Sequence, residues 1–377
     1  MSSESQFLSK LDAWRSQDGG TWSEATPSFQ IQVFEKGKLQ IDLAFGDRYR
    51  FYDWASLTKM VFSTTSAMMA IEDGELKLSD TLADWIPELG PAPIFQTLRV
   101  KHLLTHSAGM TWWKPFFKML DRARLADHES AWSKLFSEVV KDAKKSASSG
   151  NLEMASQGRA IYSDLDFFLL GEVLRRATLA GFPRRWSTIA ERLELFETCF
   201  HVERKSQIVL PYGARLGSLL KKQTAPTEID LRRGKKPLQG YVHDENTSAL
   251  HGVAPHAGLF GPIHDLSLYG LELRKLALGK KSKLPRSGIS FLRRSMKREK
   301  GDWATGFMMP TKGSASCGSR FDLSSIGHTG FTGTSMWFDP KNDRLISILS
   351  NRICPSRKNT RFLELRPALH TMAVDSL

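Results

Sequence analysis

Cysteine is scarce in this sequence of 377 residues, which contains only Cys199, Cys317 and Cys354. Three scattered cysteines exclude a disulfide framework and a zinc site built from paired ligands, and they predict reduced, partly buried thiols. No apolar run approaches the ~18 residues that a membrane-spanning helix needs. The stretch 1–8 lacks a basic region followed by an apolar one, so we expect no secretory signal and a cytoplasmic protein.

Unusual composition is also absent. Hydrophobic residues make up 41% of the chain, aromatic residues 10% and charged residues 25%. These values are typical of globular proteins and exclude collagen-like, disordered and small disulfide-rich classes. A chain of this length buries enough surface to form a hydrophobic core without disulfide bonds.

Positive charge is concentrated in two basic segments, 214–240 and 274–300. Together these segments hold 18 Lys and Arg against 3 acidic residues, whereas the rest of the chain has a net charge of −2 within a total of +13. Such segments can attract an anionic partner. The alternative interpretation is a solvated surface. Nucleic acid is an unlikely partner, because no aromatic residues interleave with the charges and no nucleic-acid motif accompanies them.

Alternating apolar residues predict a β-hairpin near each end of the chain. Residues 29–41 form the first hairpin around a turn that contains Gly37, and residues 335–349 form the second. Between them the apolar spacing is mostly helical, for example over 131–140 and 165–177. A sheet built from both ends of the chain, enclosing a helical insertion, is therefore expected.

A serine and a lysine three positions apart open a helical pattern that runs to about Glu72. Ser56 and Lys59 then share one helix face, within hydrogen-bond reach. A lysine can activate a serine hydroxyl if burial and nearby cations lower the pKa of the amine. The spacing is common, however, and a second copy, Ser218 with Lys221, lies in a basic stretch and is interpreted as surface.

Two later motifs support a catalytic role for Ser56 and Lys59, which their spacing alone does not indicate. Tyr162-Ser163-Asp164 precedes a helical pattern, and His328-Thr329-Gly330-Phe331 precedes the C-terminal hairpin. In this order the three motifs match the active-site triplet of penicillin-recognising serine hydrolases. The sequence resembles the serine β-lactamase superfamily, in the branch of class C β-lactamases, low-molecular-weight penicillin-binding proteins and related esterases. Stretches 98–109, 242–260 and 351–367 extend the resemblance to about residues 25–375.

The resemblance implies an α+β, β-lactamase-like fold in one domain, 1–377. Residues 1–58 and about 240–377 would form the part that contains an antiparallel sheet flanked by helices. Residues of about 59–239 would form a mainly helical inserted part, with the active site between the two. The resemblance implies no cofactor.

It also implies roles for individual residues. Ser56 would be the acylated nucleophile, Lys59 its proton acceptor, and Tyr162 a general acid or base whose pKa is lowered by cationic neighbours. The backbone N–H groups of Ser56 and Phe331 would form the oxyanion hole. The substrate would lie along the strand edge at His328, Thr329 and Gly330.

Two positions depart from the pattern of β-lactamases. Asp164 stands where those enzymes carry Asn, and an ionised Asp only accepts hydrogen bonds and can hold Lys59 charged. His328 stands where they carry Lys, and a neutral histidine weakens a substrate-carboxylate anchor. Both changes favour an esterase, D-amino-acid peptidase or transacylase with weak or no β-lactamase activity.

The substrate class therefore remains open to a small-molecule or peptide ester or amide. A muropeptide is one possibility, since the basic segments can supply an anchor for an anion. The alternative function is a catalytically silent β-lactamase-like binding protein for an anionic partner.

Histidines and acids cluster over 243–265, but they lack the H-x-x-x-H spacing of hydrolytic zinc sites, so no metal is expected. His102 and His106 are interpreted as packed, hydrogen-bonded histidines. Trp112 and Trp113 are expected to cover the mouth of the site or the helical core.

Overall fold

The computed structural model describes residues 1–17, 22–120, 127–148, 160–201, 221–296 and 302–377. Its strands are β1 Ser28–Glu35, β2 Lys38–Gly46, β3 Tyr52–Asp53, β4 Cys199–Phe200, β5 Leu259–Gly261, β6 Trp303–Ala304, β7 Phe307–Met308, β8 Ile326–Thr329, β9 Ser335–Asp339 and β10 Arg344–Ser350. Its α-helices are α1 Ser3–Gln17, α2 Trp22–Ala25, α3 Thr65–Glu72, α4 Leu82–Trp85, α5 Pro93–Thr97, α6 Val100–Leu104, α7 His128–Ser148, α8 Asp164–Thr178, α9 Phe182–Leu193, α10 Glu245–Ala249, α11 Ile263–Ala277, α12 Gly288–Met296 and α13 Phe362–Val374.

Both ends of the chain contribute to one antiparallel sheet. Within the described ranges the sheet has seven strands in the order β2-β1-β10-β9-β8-β7-β6. The first and last parts of the chain meet where β1 pairs with β10, with Ile31 opposite Ile348. The predicted sheet from both termini is thus confirmed.

The two predicted hairpins are present. β1 and β2 are joined by Lys36 and Gly37, which both have positive φ (52° and 79°). Two positive φ angles fit a two-residue turn whose twist matches that of the strands. β9 and β10 form the second hairpin, with Phe338 opposite Leu345.

Each face of the sheet is covered by helices. On one face, the apolar residues of α1 and α13 pack against β1 and β10, as in the cluster of Phe7, Ile31, Ile348 and Leu369. On the other face lies α11, whose Gly270 lets the helix approach closely. A Cβ atom at Gly270 would lie 2.6 Å from Leu345 Cδ1.

The middle of the chain is mainly helical, as expected. It begins with a π-helical turn, Lys59–Thr64, that continues directly into α3, and it includes the long helices α7 and α8. A second sheet of three strands has the order β3-β5-β4; β3 precedes the helical region in sequence, β4 lies near its end and β5 follows it. None of the helices in the described ranges is long and apolar enough to cross a membrane.

Candidate active site

Ser56 lies in a tight turn between β3 and the helical stretch 59–72. Ala55, just before it, has a φ of 48°, a left-handed conformation that a non-glycine residue adopts at a cost. The Asp53 carboxylate stabilises this turn by accepting the Ala55 N–H at 2.8 Å. The first helical turn is π-helical, a form that often accompanies functional sites. The turn therefore holds Ser56 in a defined position one turn before Lys59.

Ser56, Lys59 and Tyr162 form a closed hydrogen-bonded triangle. Lys59 Nζ is 3.0 Å from Ser56 Oγ and 2.7 Å from Tyr162 Oη. The Tyr162 hydroxyl donates to Ser56 Oγ at 2.7 Å. A nucleophile within reach of two proton-transferring groups is the arrangement that covalent catalysis needs.

Lys59 is completely buried and its charge is balanced by Asp164. Lys59 Nζ lies 2.7 Å from Asp164 Oδ1 and donates a further hydrogen bond to the His256 carbonyl at 3.3 Å. The ion pair that the sequence suggested is therefore present. The ammonium also lies 4.8 Å from the centre of the Tyr162 ring, a cation–π contact that adds to its stabilisation.

The pKa values of Lys59 and Tyr162 are both raised, and the direction at Tyr162 differs from the sequence-based expectation. Burial is the largest single effect and opposes the Lys59 ammonium, but Asp164 and Tyr162 together outweigh it and raise the pKa of Lys59. Burial of the Tyr162 phenol raises its pKa, and this effect exceeds the opposing effect of the Lys59 charge. The expected lowering of the pKa of Tyr162 is therefore wrong, because burial dominates at the phenol. At Lys59 the sequence left two alternatives open, and the raised pKa agrees with the one in which Asp164 holds the amine charged. The resting site contains a charged Lys59 and a neutral Tyr162.

The beginning of α8 positions Tyr162 and Asp164. Ser163 caps this helix, and its Oγ accepts the N–H groups of Leu165 and Asp166 at 3.1 and 3.2 Å. The same hydroxyl donates to the Thr111 carbonyl at 2.7 Å. A cap bonded on both sides fixes the two residues that flank it.

His106 supports this segment as a packed histidine, as the sequence predicted. Its Nδ1 accepts the Ser163 N–H at 3.1 Å, and its ring centre lies 4.8 Å from that of Tyr162. His102 likewise accepts the Arg99 N–H at 3.0 Å. Trp303 stacks on Tyr162 with 5.1 Å between ring centres. Sequence analysis gave no signal for the contact of Trp303.

His328 lies on β8 beside the triangle and is neutral. It is 3% exposed, and its Nδ1 is 2.7 Å from the Thr329 carbonyl. Burial, reinforced by the Lys59 charge, lowers the pKa of His328 to about 3. Since Nδ1 donates to the carbonyl, the buried Nε2, which has no partner within the described chain, is left as an acceptor. His328 therefore offers a hydrogen-bond acceptor where a lysine would offer a cation.

The turn after β8 is hydrogen-bonded to the segment before Ser56. Thr332 Oγ1 donates to the Asp53 carbonyl at 2.7 Å, and Thr334 Oγ1 donates to the Trp54 carbonyl at 3.1 Å. The two segments approach so closely that a Cβ atom at Gly330 would lie 2.7 Å from the Trp54 oxygen. These contacts set the distance between Ser56 and Phe331, and sequence analysis assigned no role to the two threonines.

The backbone N–H groups of Ser56 and Phe331 are available as an oxyanion hole. Within the described part of the chain neither group donates a hydrogen bond, and both residues line the same cavity. In other enzymes one such donor contributes about 3–4 kcal/mol of transition-state stabilisation. The available donors fit the role expected for them.

The cavity above Ser56 has a volume of about 690 Å³. Trp112 and Trp113 lie in its wall, and Trp112 is 63% exposed. The expected position of these tryptophans at the mouth of the site therefore agrees with the structure. The site residues that the sequence singled out also line it: Ser56, Tyr162, Asp164, His328, Thr329, Gly330 and Phe331. The second serine–lysine motif is not part of the cavity lining; Ser218 lies outside the described residues and Lys221 is exposed.

Asp164, Asp244 and His256 come close enough to resemble a metal site. Their ligand atoms lie within 4.8 Å of one another. Each already has a partner, however: Asp164 pairs with Lys59, and Asp244 Oδ1 is 3.0 Å from His256 Nε2. A cation would have to compete with the Lys59 ammonium, so these residues fit a metal poorly.

Comparisons with known proteins agree with this geometry. The Beta-lactamase family model matches residues 12–364. A putative D-alanyl-D-alanine carboxypeptidase of Salmonella agona (strain SL483) is 27% identical, over 93% of this chain and 83% of its own length.

Solved structures show the same fold. EstCE1, a hydrolase with promiscuous acyltransferase activity, matches with a TM-score of 0.64 at 17% identity, over 97% of this chain and 99% of its own. The octameric penicillin-binding protein homologue from Pyrococcus abyssi matches with a TM-score of 0.63 at 16% identity, over 98% of this chain and 76% of its own. The chain therefore belongs to the Beta-lactamase family and is a serine hydrolase of the β-lactamase and penicillin-binding-protein type.

Proposed function

We propose that this protein cleaves an ester or amide through an acyl-enzyme on Ser56. The observation that carries the proposal is the triangle of Ser56, Lys59 and Tyr162, with sides of 3.0, 2.7 and 2.7 Å. Ser56 Oγ would attack the substrate carbonyl and form the acyl-enzyme while the leaving group departs. Water or another nucleophile would then release the acyl group.

Lys59 must give up a proton before it can accept one from Ser56. Its ammonium is held by Asp164, whose oxygen at 2.7 Å is the acceptor within reach. Asp164 is 14% exposed in its side chain. A substrate that covers the cavity would remove water from this pair, and a drier environment favours the neutral acid and amine over the ion pair. The neutral amine would then take the proton of Ser56 as the new bond forms.

Tyr162 would serve as the general acid for the leaving group. The phenol is neutral because burial raises its pKa, so it has a proton to donate. Lys59, protonated by Ser56 in the first step, donates to Tyr162 Oη at 2.7 Å and can restore that proton.

We propose an esterase, D-amino-acid peptidase or transacylase with weak or no β-lactamase activity. Asp164 offers no N–H to a substrate, and the neutral His328 offers no cation beside Ser56. The similarity to a putative D-alanyl-D-alanine carboxypeptidase supports a peptide among the candidate substrates. The cytoplasmic location, the single domain 1–377, the absence of a cofactor and an anionic partner at the basic segments stay predictions.

Intact-protein mass spectrometry tests the proposal. The protein is treated separately with a fluorophosphonate and with a fluorescent penicillin. We expect a fluorophosphonate adduct that the Ser56→Ala variant lacks, and little penicillin adduct. Ser218→Ala, which removes the serine of the second motif, is the matched control and should label normally.

Three outcomes would contradict it. An adduct that persists in Ser56→Ala would place the nucleophile elsewhere, and equal labelling by penicillin would overturn the weak β-lactam reactivity. No adduct with either reagent would favour the alternative of a silent binding protein.

A further inference from the structure

The side chain of Phe331 is held by groups from two other loops. Although Phe331 is 46% exposed, its ring stacks on that of His243, with 5.5 Å between the ring centres and an angle of 13° between the planes. The guanidinium groups of Arg352 and Arg357 lie 5.0 and 5.7 Å from the centre of the same ring. Ring stacking and cation–π contacts both favour particular positions of an aromatic side chain. The ring is therefore held in place although much of it faces solvent.

This ring belongs to the residue whose N–H group is available for the oxyanion hole. The direction of that N–H is set by the peptide group between Gly330 and Phe331. On one side, the Gly330 carbonyl of this peptide accepts the Gly333 N–H at 3.0 Å. On the other side, the contacts of the ring limit the torsion angles of Phe331. The backbone turn and the ring contacts together determine where the Phe331 N–H points.

His243 is itself fixed at its backbone and at its ring. Its N–H donates to Asp53 Oδ2 at 2.8 Å, and its Nε2 lies 2.9 Å from Glu228 Oε2. Burial opposes the Glu228 carboxylate, but hydrogen bonds from His243 and Arg357 outweigh it and lower the pKa of Glu228 to about 2. Because an ionised carboxylate only accepts hydrogen bonds, His243 Nε2 is the donor. His243 therefore offers the Phe331 ring a surface of fixed position.

Asp53 connects the two halves of the oxyanion hole. Its Oδ1 accepts the N–H of Ala55, in the turn that presents Ser56, and its Oδ2 accepts the N–H of His243. One buried carboxylate thus holds both the turn of Ser56 and the histidine that contacts Phe331. Supporting hydrogen bonds of this kind fix the geometry of reacting groups that they do not touch.

We propose that His243 is a positioning residue that holds the Phe331 ring and so directs the Phe331 N–H toward the oxyanion. The inference rests on the proposed function and deepens it, by naming a residue outside the hydrogen-bonded triangle that acts on the transition state. In other enzymes the loss of one oxyanion donor lowers the rate by about 10²–10³-fold. A donor that is present but loosely held should lose part of this effect, because hydrogen bonds weaken steeply as they bend.

Labelling of Ser56 by a fluorophosphonate tests the inference when its two constants are separated. The reversible binding constant, KI, reports on contacts with the cavity wall. The maximal rate constant, kinact, reports on stabilisation of the negative charge that grows on the phosphoryl oxygen. We expect His243→Ala to lower kinact about tenfold and to leave KI unchanged. Phe331→Ala removes the ring but keeps the backbone N–H, and it should lower kinact by a similar factor.

A double variant shows whether His243 acts through the ring. Because the ring that His243 holds is already absent from the Phe331→Ala protein, adding His243→Ala there should not lower kinact further. Phe331→Tyr keeps an aromatic ring at the same position. It should label at close to the rate of the parent protein.

His201→Ala is the matched control. His201 is also buried and contacts an aromatic ring, with 5.7 Å between its ring centre and that of Tyr241, but it does not line the cavity. This variant should keep both kinact and KI. All rates are corrected for the unfolded fraction. Phe331→Ala changes a half-exposed side chain, so it still tests the inference if His243→Ala does not fold.

Three results would overturn the inference. If His243→Ala lowers kinact equally in the parent and in the Phe331→Ala protein, the two residues act independently. A raised KI with an unchanged kinact in His243→Ala would indicate a contact with the reagent instead of a positioning role. An unchanged kinact in Phe331→Ala would show that the ring does not direct the N–H. A parent protein that does not label at Ser56 would overturn the proposed function itself, and this inference with it.

Discussion

Lys59 keeps its proton because of two neighbours, of which Asp164 contributes most. The ammonium is fully buried, and burial alone would lower the pKa of the amine. Asp164, 2.7 Å away, and the Tyr162 hydroxyl together reverse that effect and raise the pKa. A substitution of Asn for Asp164 therefore changes the protonation of Lys59, the proposed general base, without touching Ser56.

We expect Asp164→Asn to move the pH dependence of Ser56 labelling by a fluorophosphonate to lower pH. Removing an opposite charge within ion-pair distance shifts a pKa by about 1–3 units. The alkaline fraction in which Lys59 is neutral then begins at lower pH, so the rising limb of the rate–pH profile should shift by about that amount. The measurement is the labelling rate from pH 5 to 10 in both proteins. An unshifted limb would show that Asp164 does not control Lys59.

A second acid of the same helix, Asp166, is buried without a compensating charge. Both of its oxygens lack a hydrogen-bond partner in the described chain, and Oδ2 lies 3.5 Å from Nδ1 of the neutral His106. Burial, with the nearby charge of Asp164, raises the pKa of Asp166 well above its ordinary value. Over the pH range between the ordinary and the raised pKa, the folded protein therefore binds a proton at Asp166 that the unfolded chain has released.

The contribution of Asp166 to the stability of the folded protein therefore decreases as the pH rises. From the ordinary carboxyl pKa up to the raised one, the folded state holds one more proton, which lowers the free energy of unfolding by about 1.4 kcal/mol per pH unit. Asp166→Asn removes this proton. We expect urea unfolding to show that the free energy of unfolding of Asp166→Asn, relative to that of the wild-type protein, is higher at pH 7 than at pH 5. A constant difference between the two proteins would mean that Asp166 is not protonated on folding.

At the scale of elements, the turn between β8 and β9 is held against the segment that carries Ser56. Thr332 is buried, and its hydroxyl donates to the Asp53 carbonyl at 2.7 Å. We expect Thr332→Val to cost about 1–3 kcal/mol of stability, because a buried carbonyl loses its partner. The labelling rate of Ser56 should also fall, since Phe331 on the same turn no longer sits at a fixed distance.

Thr227→Val is the control for this prediction. Thr227 is also buried, and its hydroxyl donates to the Leu238 carbonyl at 3.3 Å, but it does not line the cavity. It should lose stability and keep its labelling rate. If Thr332→Val labels at the wild-type rate after correction for the unfolded fraction, the turn does not position the oxyanion hole.

The elements that sequence predicted well are those with strong local patterns. Alternation of apolar residues indicated both hairpins, and helical spacing indicated α7 and α8. The three motifs marked Ser56, Tyr162 and His328 as neighbours, although about a hundred residues or more separate each from the next. The prediction that these residues lie close together came from the resemblance to the serine β-lactamase superfamily, because no local sequence pattern shows that such distant segments meet.

The features that sequence analysis did not predict depend on the burial of individual side chains, and a pattern of residue types does not predict that burial. Tyr162 was expected to have a lowered pKa because a cation is near, but the raised pKa follows from the loss of water around the phenol. Arg366 looks like an ordinary charged residue on an amphipathic helix, and only the fold shows that its guanidinium is buried and unpaired. Thr332 directly follows the motif His328-Thr329-Gly330-Phe331, yet its bond to Asp53 appears only when the turn after β8 and β3 come together.

At the scale of the whole molecule, one hydrophobic cluster joins the helical middle of the chain to the sheet. It contains Trp132 and Phe168 from the helical region as well as Tyr269 and Leu345 from α11 and β10. A core shared in this way couples the unfolding of its parts. It supports the prediction that residues 1–377 form one domain rather than two independent ones.

We therefore expect a single cooperative unfolding transition in urea. Trp132 reports on the helical region and Trp337 on β9, and both are buried. The chain has ten tryptophans, so Trp132→Phe and Trp337→Phe each remove one reporter and keep nine. Within each variant, the fluorescence transition should have the same midpoint as the transition seen by far-ultraviolet circular dichroism. Coincident transitions by independent probes are the signature of one cooperative unit. Two separated midpoints within one variant would show that the helical part and the sheet unfold as separate units. The candidate active site would then depend on the interface between these two units.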